Sequence, residues 1–510
     1  MPFQSRLVFA VSIVFVTALG GASALAAPPP SIGKLPPDAQ AMLDSLPNKK
    51  LELKYVIGRA AQSSDSFKAA YAALLTTDVA RLQAETALAW RPYAKYSSLS
   101  DRREAGNAFS PNRIETQSFS MGVATAFQSG TKLQAEISHG NNLIALPIGQ
   151  TFDYYETRST LSLSQSLLAD SFGQSSRALQ RSAEKASEAQ ALTAREGLEE
   201  WSLSLIRLYY GAWLAQAQTR AAIEGHERKL RLKELLEIQT RRGTAERPDL
   251  LQVESAATST LSQKEQNELK LQEQWRDLIV ALKLNPEWTK INPLVIPIVL
   301  DEPQIEAKLL CGEEGKVLPA PESLPLTRAR LLAEAAQDSE ARARALVRPN
   351  LDLQGSLFAN GIAPTASQSL SDWRGQDFTG YALGLTLSLP IGFSAEKAEA
   401  LSATANWIRA DASHSIALDL NQTQWVTRCM DLFRLERAAE SFSRTSQLQK
   451  ERAKLEEQRF RLGRSGTFQV IQAGDDATFA ELALDGIEVE RRLTSWQILK
   501  AANRIQGPQL

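Results

Sequence analysis

The chain has 510 residues, with 57 basic and 58 acidic side chains and a formal net charge of −1. This balance argues against a nucleic-acid-binding protein, which needs surplus positive charge to displace counterions from phosphates. A hydrophobic content of 43% can build a core, so wholesale disorder is also excluded. The two cysteines and three widely separated histidines form no recognisable metal-binding pattern, and we predict neither a metal site nor a cofactor.

The first residues are typical of an export signal. Arg6 precedes an apolar run from Leu7 to Leu19, which is shorter than the roughly 20 residues that a membrane-spanning helix needs. Ala24-Leu25-Ala26 fits the small-residue rule for signal-peptide cleavage. We therefore predict a signal peptide at residues 1–26, with an uncleaved anchor as the alternative. We expect the following segment, residues 27–50, to be disordered.

The 22 prolines are distributed unevenly. None lies between Pro147 and Pro248 or between Pro390 and Pro508, whereas six fall between Pro293 and Pro325. Because helix interiors exclude proline, the gaps indicate long helical runs and the crowded segment indicates a linker. The predicted helices span about 172–241, 248–285, 395–461 and 467–506. They are long enough that they must pack along each other as coiled coils.

The two halves of the chain follow the same plan. Arg241-Arg242-Gly243-Thr244 matches Arg461-Leu462-Gly463-Arg464, 220 residues further on, and the same offset pairs Gln252 with Gln472. We predict an internal two-fold repeat; chance similarity between Ala-, Leu- and Gln-rich helices is the alternative. The first repeat is predicted at 51–286, the linker at 287–323 and the second repeat at 324–508.

Strict alternation of apolar and polar residues predicts strands at about 92–167 in the first half and at 350–358 and 380–390 in the second, about six in all. A sheet with one apolar and one polar face can belong to a soluble protein or to a membrane barrel. Behind a signal peptide, the barrel is the better interpretation. Its lipid-facing residues would be Phe119, Met121, Val123, Phe127, Tyr381, Leu383, Leu385 and Leu387.

About six strands are too few for one chain to close a membrane barrel by itself. Single-chain outer-membrane barrels need at least about eight strands, and hydrocarbon does not tolerate an open sheet edge. If these strands enter a membrane, several chains must share one barrel.

Each half thus contains a strand block, a long helix, a glycine break and a shorter helix. Arg348-Pro349-Asn350-Leu351-Asp352-Leu353 precedes one strand, and Leu387-Ser388-Leu389-Pro390-Ile391 connects another to a helix. In this order, over about residues 51–508, these features resemble the TolC-like outer-membrane efflux proteins.

The resemblance implies an α+β membrane protein of the cell outer membrane that extends into the periplasm. It implies a homotrimer whose twelve-stranded β-barrel, with four strands from each chain, continues into a long α-helical coiled-coil barrel. The strand-rich insert at 117–141 resembles a branch of the family with an extra hairpin there, so the exact strand number stays open from the sequence. It also implies docking to a periplasmic adaptor protein and an inner-membrane transporter. In this family the turns at the glycine breaks form the periplasmic tip, where the adaptor binds. The predicted tip residues are Arg242, Gly243, Thr244, Arg247, Leu462, Gly463, Arg464 and Ser465.

The candidate pore constriction comprises Asp249, Gln469, Gln472, Asp475 and Asp476. A carboxylate such as Asp249, near a helix N-terminus, is favoured by the helix dipole whatever its function. In the family, acidic residues often line the constriction where this chain has Gln469 and Gln472. Asp475 and Asp476 could supply the charge, and rings of three pore-facing aspartates would raise each other's pKa. Solvated aspartates on the outer face are the alternative.

Arginines also cluster at the two turns. Arg242, Arg247, Arg461 and Arg464 could bond to carboxylates at the tip and hold the entrance closed, or they could be solvated. Both interpretations stay open from the sequence.

Cys311 lies in the proline-rich linker and Cys429 within a predicted helix. An oxidising compartment permits a bridge between them, but we expect free thiols.

No nucleophile elbow, phosphate-binding loop or HExxH signature occurs, so we predict that the chain is not an enzyme. The predicted function is a passive outer-membrane export channel of a tripartite efflux or type I secretion system. A periplasmic coiled-coil scaffold without transport activity is the alternative. The exported substrate is not readable from the sequence.

Overall fold

The computed structural model describes residues 37–303, 306–375, 378–389, 392 and 394–505. The predicted signal peptide, residues 27–36 and the Pro390-Ile391 end of the strand-to-helix motif lie outside this range. Among the described residues, no helix combines the length and the apolar character needed to cross a membrane.

Among the residues that the structure describes, four short α-helices precede the first strand. They are α1 (Pro37–Ser45), α2 (Leu53–Ser63), α3 (Asp65–Ala72) and α4 (Val79–Thr86). The expectation of disorder is wrong for residues 37–50, because α1 presents Met42 and Leu43 to the core, and Leu46 follows them there. The apolar residues of this short helix pack into the core, which composition alone did not indicate.

The first half continues with four strands and two long helices. The strands are β1 (Arg91–Arg102), β2 (Arg113–Ala126), β3 (Thr131–Ala145) and β4 (Thr151–Ser166), and the helices are α5 (Gln174–Arg241) and α6 (Arg247–Ala281). The linker contains α7 (Ala307–Cys311) and the two-residue strands β5 (Gly312–Glu313) and β6 (Lys316–Val317). The second half contains α8 (Leu324–Leu346), β7 (Asn350–Ala363), α9 (Ala366–Gly375), β8 (Phe378–Ser388), α10 (Ser394–Arg461) and α11 (Thr467–Ala501).

The long helices agree closely with those expected from the proline gaps. Helices α5 and α10 each have 68 residues, and α6 and α11 each have 35. At 1.5 Å per residue, α5 and α10 are about 100 Å long. The bounds of each pair differ by the same 220 residues that relate the two glycine motifs.

Six strands form one antiparallel sheet in the order β1-β2-β3-β4-β7-β8. The expectation of about six strands is therefore confirmed. The sheet has six strands and not the four of the family's general plan, because the insert at 117–141 forms most of the β2–β3 hairpin, so that the first half contributes four strands and the second half two.

The largest apolar core lies where the N-terminal helices and the linker pack on α5 and α6. Tyr209 and Tyr210 of α5 are fully buried there. The Tyr209 hydroxyl donates to the carbonyl of Leu51 at 2.9 Å, and the Tyr210 hydroxyl donates to the carbonyl of Asp301 at 2.7 Å. These bonds fix the start of the first repeat and the linker to the middle of the long helix.

A second core surrounds a disulfide between Cys311 of α7 and Cys429 of α10. The expectation of free thiols is wrong. Helix α7 packs on α10 beside Trp425 and Phe433, and this packing brings the two cysteine Cα atoms to 5.5 Å. The disulfide therefore links the linker covalently to α10.

Candidate functional site: the helical tip and the two-faced sheet

The turns that end α5 and α10 have the same geometry. Gly243 has φ +74° and Gly463 has φ +70°, a left-handed conformation that favours glycine at helix C-termini. The Gly243 N–H donates to the carbonyl of Thr240 at 3.0 Å, and the Gly463 N–H donates to that of Phe460 at 2.9 Å. Each turn therefore reverses the chain into an antiparallel helical hairpin.

The two hairpins meet near these turns in a small apolar cluster. Leu236 of α5, Val253 of α6 and Phe460 of α10 are buried together. Half-buried residues around them come from both hairpins: Leu232, Leu235, Ala245, Leu250, Val470 and Ile471. The two glycine turns consequently lie at the same end of the molecule, and the structure brings the two groups of predicted tip residues together.

The predicted tip residues are open to solvent, apart from half-buried Ser465, whose hydroxyl donates to a Glu456 carboxylate oxygen at 2.6 Å. Leu462 keeps 69% of its surface exposed. Arg461 pairs with Glu457 on its own helix at 2.6 Å. Within the part of the chain that the structure describes, Arg242, Arg247 and Arg464 make no ion pair. No arginine latch is therefore formed between the two turns of one chain.

The candidate constriction residues fall in the first turns of the second helix of each hairpin. Asp249 and Gln469 are the third residues of α6 and α11 and lie 220 residues apart. Asp249 is half-buried, and Gln469 and Gln472 are exposed. Asp249 lies in the first turn of α6 next to the N-cap residue Glu246, so both carboxylates place negative charge where the helix dipole favours it.

Asp475 and Asp476 both hold α11 to neighbouring helices. Asp475 accepts a hydrogen bond from the ammonium of Lys229 on α5 at 2.7 Å. Asp476 pairs with Arg452 on α10 at 3.0 Å. Only the first pair has a buried member, because the Lys229 side chain is 6% exposed. Lys229 could not be identified from the sequence, because it lies 246 residues from Asp475 and no local pattern indicates the contact.

Two further carboxyl groups were also missed. Burial raises the pKa of Asp485 on α11 to about 6, and the nearby charge of Glu481 adds to the effect. Burial likewise raises the pKa of Glu199 on α5 to about 7, against the opposing attraction of Arg195 and Lys500. Both carboxyl groups are at least partly buried by packing, and the spacing of residues in the sequence does not reveal that burial.

The register of the sheet separates an apolar from a polar face. Tyr381 pairs with Leu357, Leu357 with Leu161, Leu161 with Ala135 and Ala135 with Val123. Directly paired residues share a face, so all the residues that were predicted to face lipid on β2 and β8 lie on one side. The opposite side carries Tyr93, Lys95, Gln134, Glu136, Arg158 and Asp352.

The apolar face remains uncovered over most of its extent. On β8, Tyr381 and Leu383 are each 75% exposed, and Leu385 is 66% exposed. Near the β7–β8 connection, α9 covers part of the same face: the Trp373 indole N–H donates to the Ser159 hydroxyl at 3.0 Å. The sheet is thus built to place apolar side chains on one side and polar side chains on the other.

Comparison with solved structures identifies this fold. The chain is similar to the outer-membrane protein VceC of Vibrio cholerae, with 18% identity, a TM-score of 0.62, and coverage of 88% of this chain and 95% of that one. It is similar to the outer-membrane channel OprN, with 17% identity, a TM-score of 0.65, and coverage of 95% and 99%. It is also similar to the outer-membrane channel MtrE of Neisseria gonorrhoeae, solved in its open state, with 15% identity, a TM-score of 0.59 and 90% of each chain covered.

No protein-family model matches the sequence, and no curated protein matches it. At these identities the structural similarities establish the fold, which is that of the TolC-like outer-membrane channels. The resemblance inferred from the sequence is confirmed at this level.

Proposed function

We propose that this chain, which has the TolC-like channel fold, is a passive export duct in the outer membrane. The observation that carries the proposal is the two-faced sheet at the base of α5. Its apolar face suits contact with hydrocarbon, and its polar face suits a water-filled lumen. Helices α5 and α10 then extend the duct about 100 Å from the membrane to the glycine turns, across the periplasm.

The duct is proposed to be a homotrimer. A six-stranded sheet is too small to close on itself as an outer-membrane barrel, and its free edges cannot face lipid. Copies of the chain supply the missing strands and surround a common axis. Internal duplication, supported by the equal lengths and constant spacing of the long helices, lets each chain contribute two similar hairpins to the helical barrel.

Transport through such a duct draws its energy from partners. The helical tip offers solvent-exposed polar residues from both turns, together with the exposed side chain of Leu462. We propose that a periplasmic adaptor protein docks on this surface and connects the duct to an inner-membrane transporter. Docking opens the tip by shifting α6 and α11, whose first turns carry the candidate constriction residues.

The alternative function, a periplasmic scaffold, fits the helices equally well but not the sheet. A scaffold surrounded by water would expose the leucines of β8 in a contiguous apolar patch, which soluble proteins avoid. The duct gives these side chains an apolar environment.

The proposal is tested by expressing the full chain with its N-terminal segment in a Gram-negative host. The expected protein fractionates with the outer membrane, changes its electrophoretic mobility on heating in detergent, and releases small solutes from liposomes. Recovery as a soluble periplasmic protein that does not bind liposomes would favour the scaffold and contradict the duct.

A further inference from the structure

The sheet has two outermost strands of matched length, β1 with 12 residues and β8 with 11. Among the described strands, each pairs with a neighbour on one side only. We propose that the free edge of β1 in one chain pairs with the free edge of β8 in the next, and that three chains close a barrel of eighteen strands. This inference rests on the proposed trimeric duct, and it departs from the twelve strands that the family resemblance implies.

The strand directions permit this closure. Every neighbouring pair in the sheet is antiparallel, so β1 and β8, which are separated by five such pairings, run in opposite directions. When a second copy is placed beside the first with its apolar face on the same side, β1 of one chain is antiparallel to β8 of the other. The antiparallel order therefore continues without interruption from chain to chain.

The side chains at the two edges are complementary in size. On the apolar face, β8 carries Tyr381 and three leucines, whereas β1 carries the small residues Pro92, Ala94, Ser98 and Ser100 together with one large side chain, Tyr96. On the polar face the relationship is reversed. There β1 carries Tyr93 and Lys95, and β8 carries Gly380, Ala382 and Gly384. Each edge therefore offers mostly small residues on the face where the other edge carries its large ones, as cross-strand packing between the two requires.

The β2–β3 hairpin, which adds two strands to the four of the family's general plan, is an integral part of the sheet. Its inner turn at Gly130 packs so closely on the segment before α5 that an added Cβ would lie 2.9 Å from the Asp170 carbonyl. The Gln165 amide of β4 donates to the carbonyl of Ser129 in the same turn at 3.0 Å. The Cβ of any other residue at Gly173 would overlap the carbonyl of Gln128. These contacts fix the hairpin in place, so all six strands count toward the barrel.

The number of strands sets the width of the lumen. Because barrel diameter grows roughly linearly with strand number, eighteen strands give a mouth about 1.5 times as wide as twelve. The chain would thus form a wider outer opening than the twelve-stranded barrel while keeping the same number of long helices.

Cysteine cross-linking tests the pairing of the edges directly. Each of three polar-face positions on β1 (Arg91, Lys95 and Leu99) is replaced by cysteine and combined in turn with cysteine at Ala382, Gly384 or Thr386 on β8. Several combinations are tested because the sheet of one chain does not define the register between its β1 and the β8 of the next chain. The control combines the same β1 cysteines with Ser162→Cys on β4, an interior strand that no neighbouring chain can reach.

After oxidation in outer-membrane preparations and heat denaturation, at least one β1–β8 combination is expected to give bands at two and three times the chain mass. These bands should disappear with reductant, and the controls should stay monomeric. A ladder that ends at two chains would mean twelve strands, and one that continues beyond three would mean an open assembly. Either ladder would overturn the proposal, as would the absence of any cross-link in protein that fractionates with the outer membrane. Failure to reach the outer membrane would instead overturn the proposed function together with this inference.

Discussion

The ammonium of Lys229 lies 2.7 Å from the carboxylate of Asp475 and joins α5 of the first hairpin to α11 of the second. The lysine also donates to the carbonyl of Ile471 at 3.3 Å, while its side chain is almost entirely buried. A buried charge that loses its partner costs several kcal/mol, whereas an exposed pair contributes little. This contact therefore links the two hairpins through a buried ammonium that depends on Asp475 for its counter-charge.

Asp475→Asn is expected to loosen the tip. The substitution leaves the buried ammonium without a counter-charge, so the contact between α5 and α11 should weaken and the open state should become more populated. Recordings from planar bilayers should show a higher mean conductance than for the unaltered protein. Asp476→Asn is the matched control, because its partner Arg452 is largely exposed, and it should change the conductance much less. Equal effects of the two variants would argue against a special role for Lys229.

The apolar face predicts an asymmetric tolerance of charge on β8. Leu383→Arg places a cation on the apolar face and should cost about 2–4 kcal/mol if that face contacts the middle of the membrane. Thr386→Arg places the same cation on the polar face of the same strand and should be tolerated. Yield of heat-modifiable protein in the outer membrane is the measurement. Equal loss for both variants would contradict the assignment of lipid and lumen faces.

The left-handed turn at Gly463 predicts a conformational cost for any side chain there. Nothing lies within 4 Å of an added Cβ, so Gly463→Ala tests backbone strain alone and should lower stability by about 1 kcal/mol. Gly474→Ala is the control: it also has open space around the new Cβ, but it lies inside α11 and should stabilise the helix by roughly 0.5–1 kcal/mol. Thermal dissociation midpoints should move in opposite directions. Shifts of the same sign would contradict the account.

The raised pKa of Glu199 predicts a pH dependence. In the unfolded chain this carboxyl has its ordinary pKa of about 4.5, whereas burial raises its pKa to about 7 in the folded protein. Because the folded state holds the proton more tightly, the free energy of unfolding is not reduced by this group below about pH 4.5. It falls as the pH rises from there through about 7, where the buried carboxyl must ionise. Glu199→Gln should remove this loss, which is roughly 1–3 kcal/mol.

The measurement is the difference in thermal midpoint between pH 5 and pH 8. That difference should be smaller in Glu199→Gln than in the unaltered protein. Glu184→Gln, at an exposed position on the same helix, should leave it unchanged. An identical pH dependence in all three proteins would show that Glu199 does not titrate in this range.

The disulfide predicts a loss of stability when both cysteines are replaced by serine. The bridge closes a separation of 118 residues, and removing a native bridge typically costs about 2–5 kcal/mol. Denaturant unfolding of Cys311→Ser/Cys429→Ser should show this decrease, and reduction of the unaltered protein should reproduce it. Detection of two free thiols in the unreduced, unfolded chain would contradict the bridge.

Sequence reasoning located the long helices because the exclusion of proline acts locally, and it located the strands because alternation is also local. It could not pair Cys311 with Cys429 or Lys229 with Asp475, since those contacts depend on how distant elements pack. It also missed α1, whose buried face has too few residues to give a clear period. The insert at 117–141 indicated an extra hairpin, but the number of strands followed only from the pairing of β2 and β3 within the sheet.

The most direct test of the central claim, that this chain forms an outer-membrane duct, is single-channel recording of the purified full-length protein in planar lipid bilayers. The account predicts discrete unitary current steps whose mean amplitude is larger for Asp475→Asn than for the unaltered protein. Protein that is shown to insert into the bilayer but produces no steps in either form would contradict it.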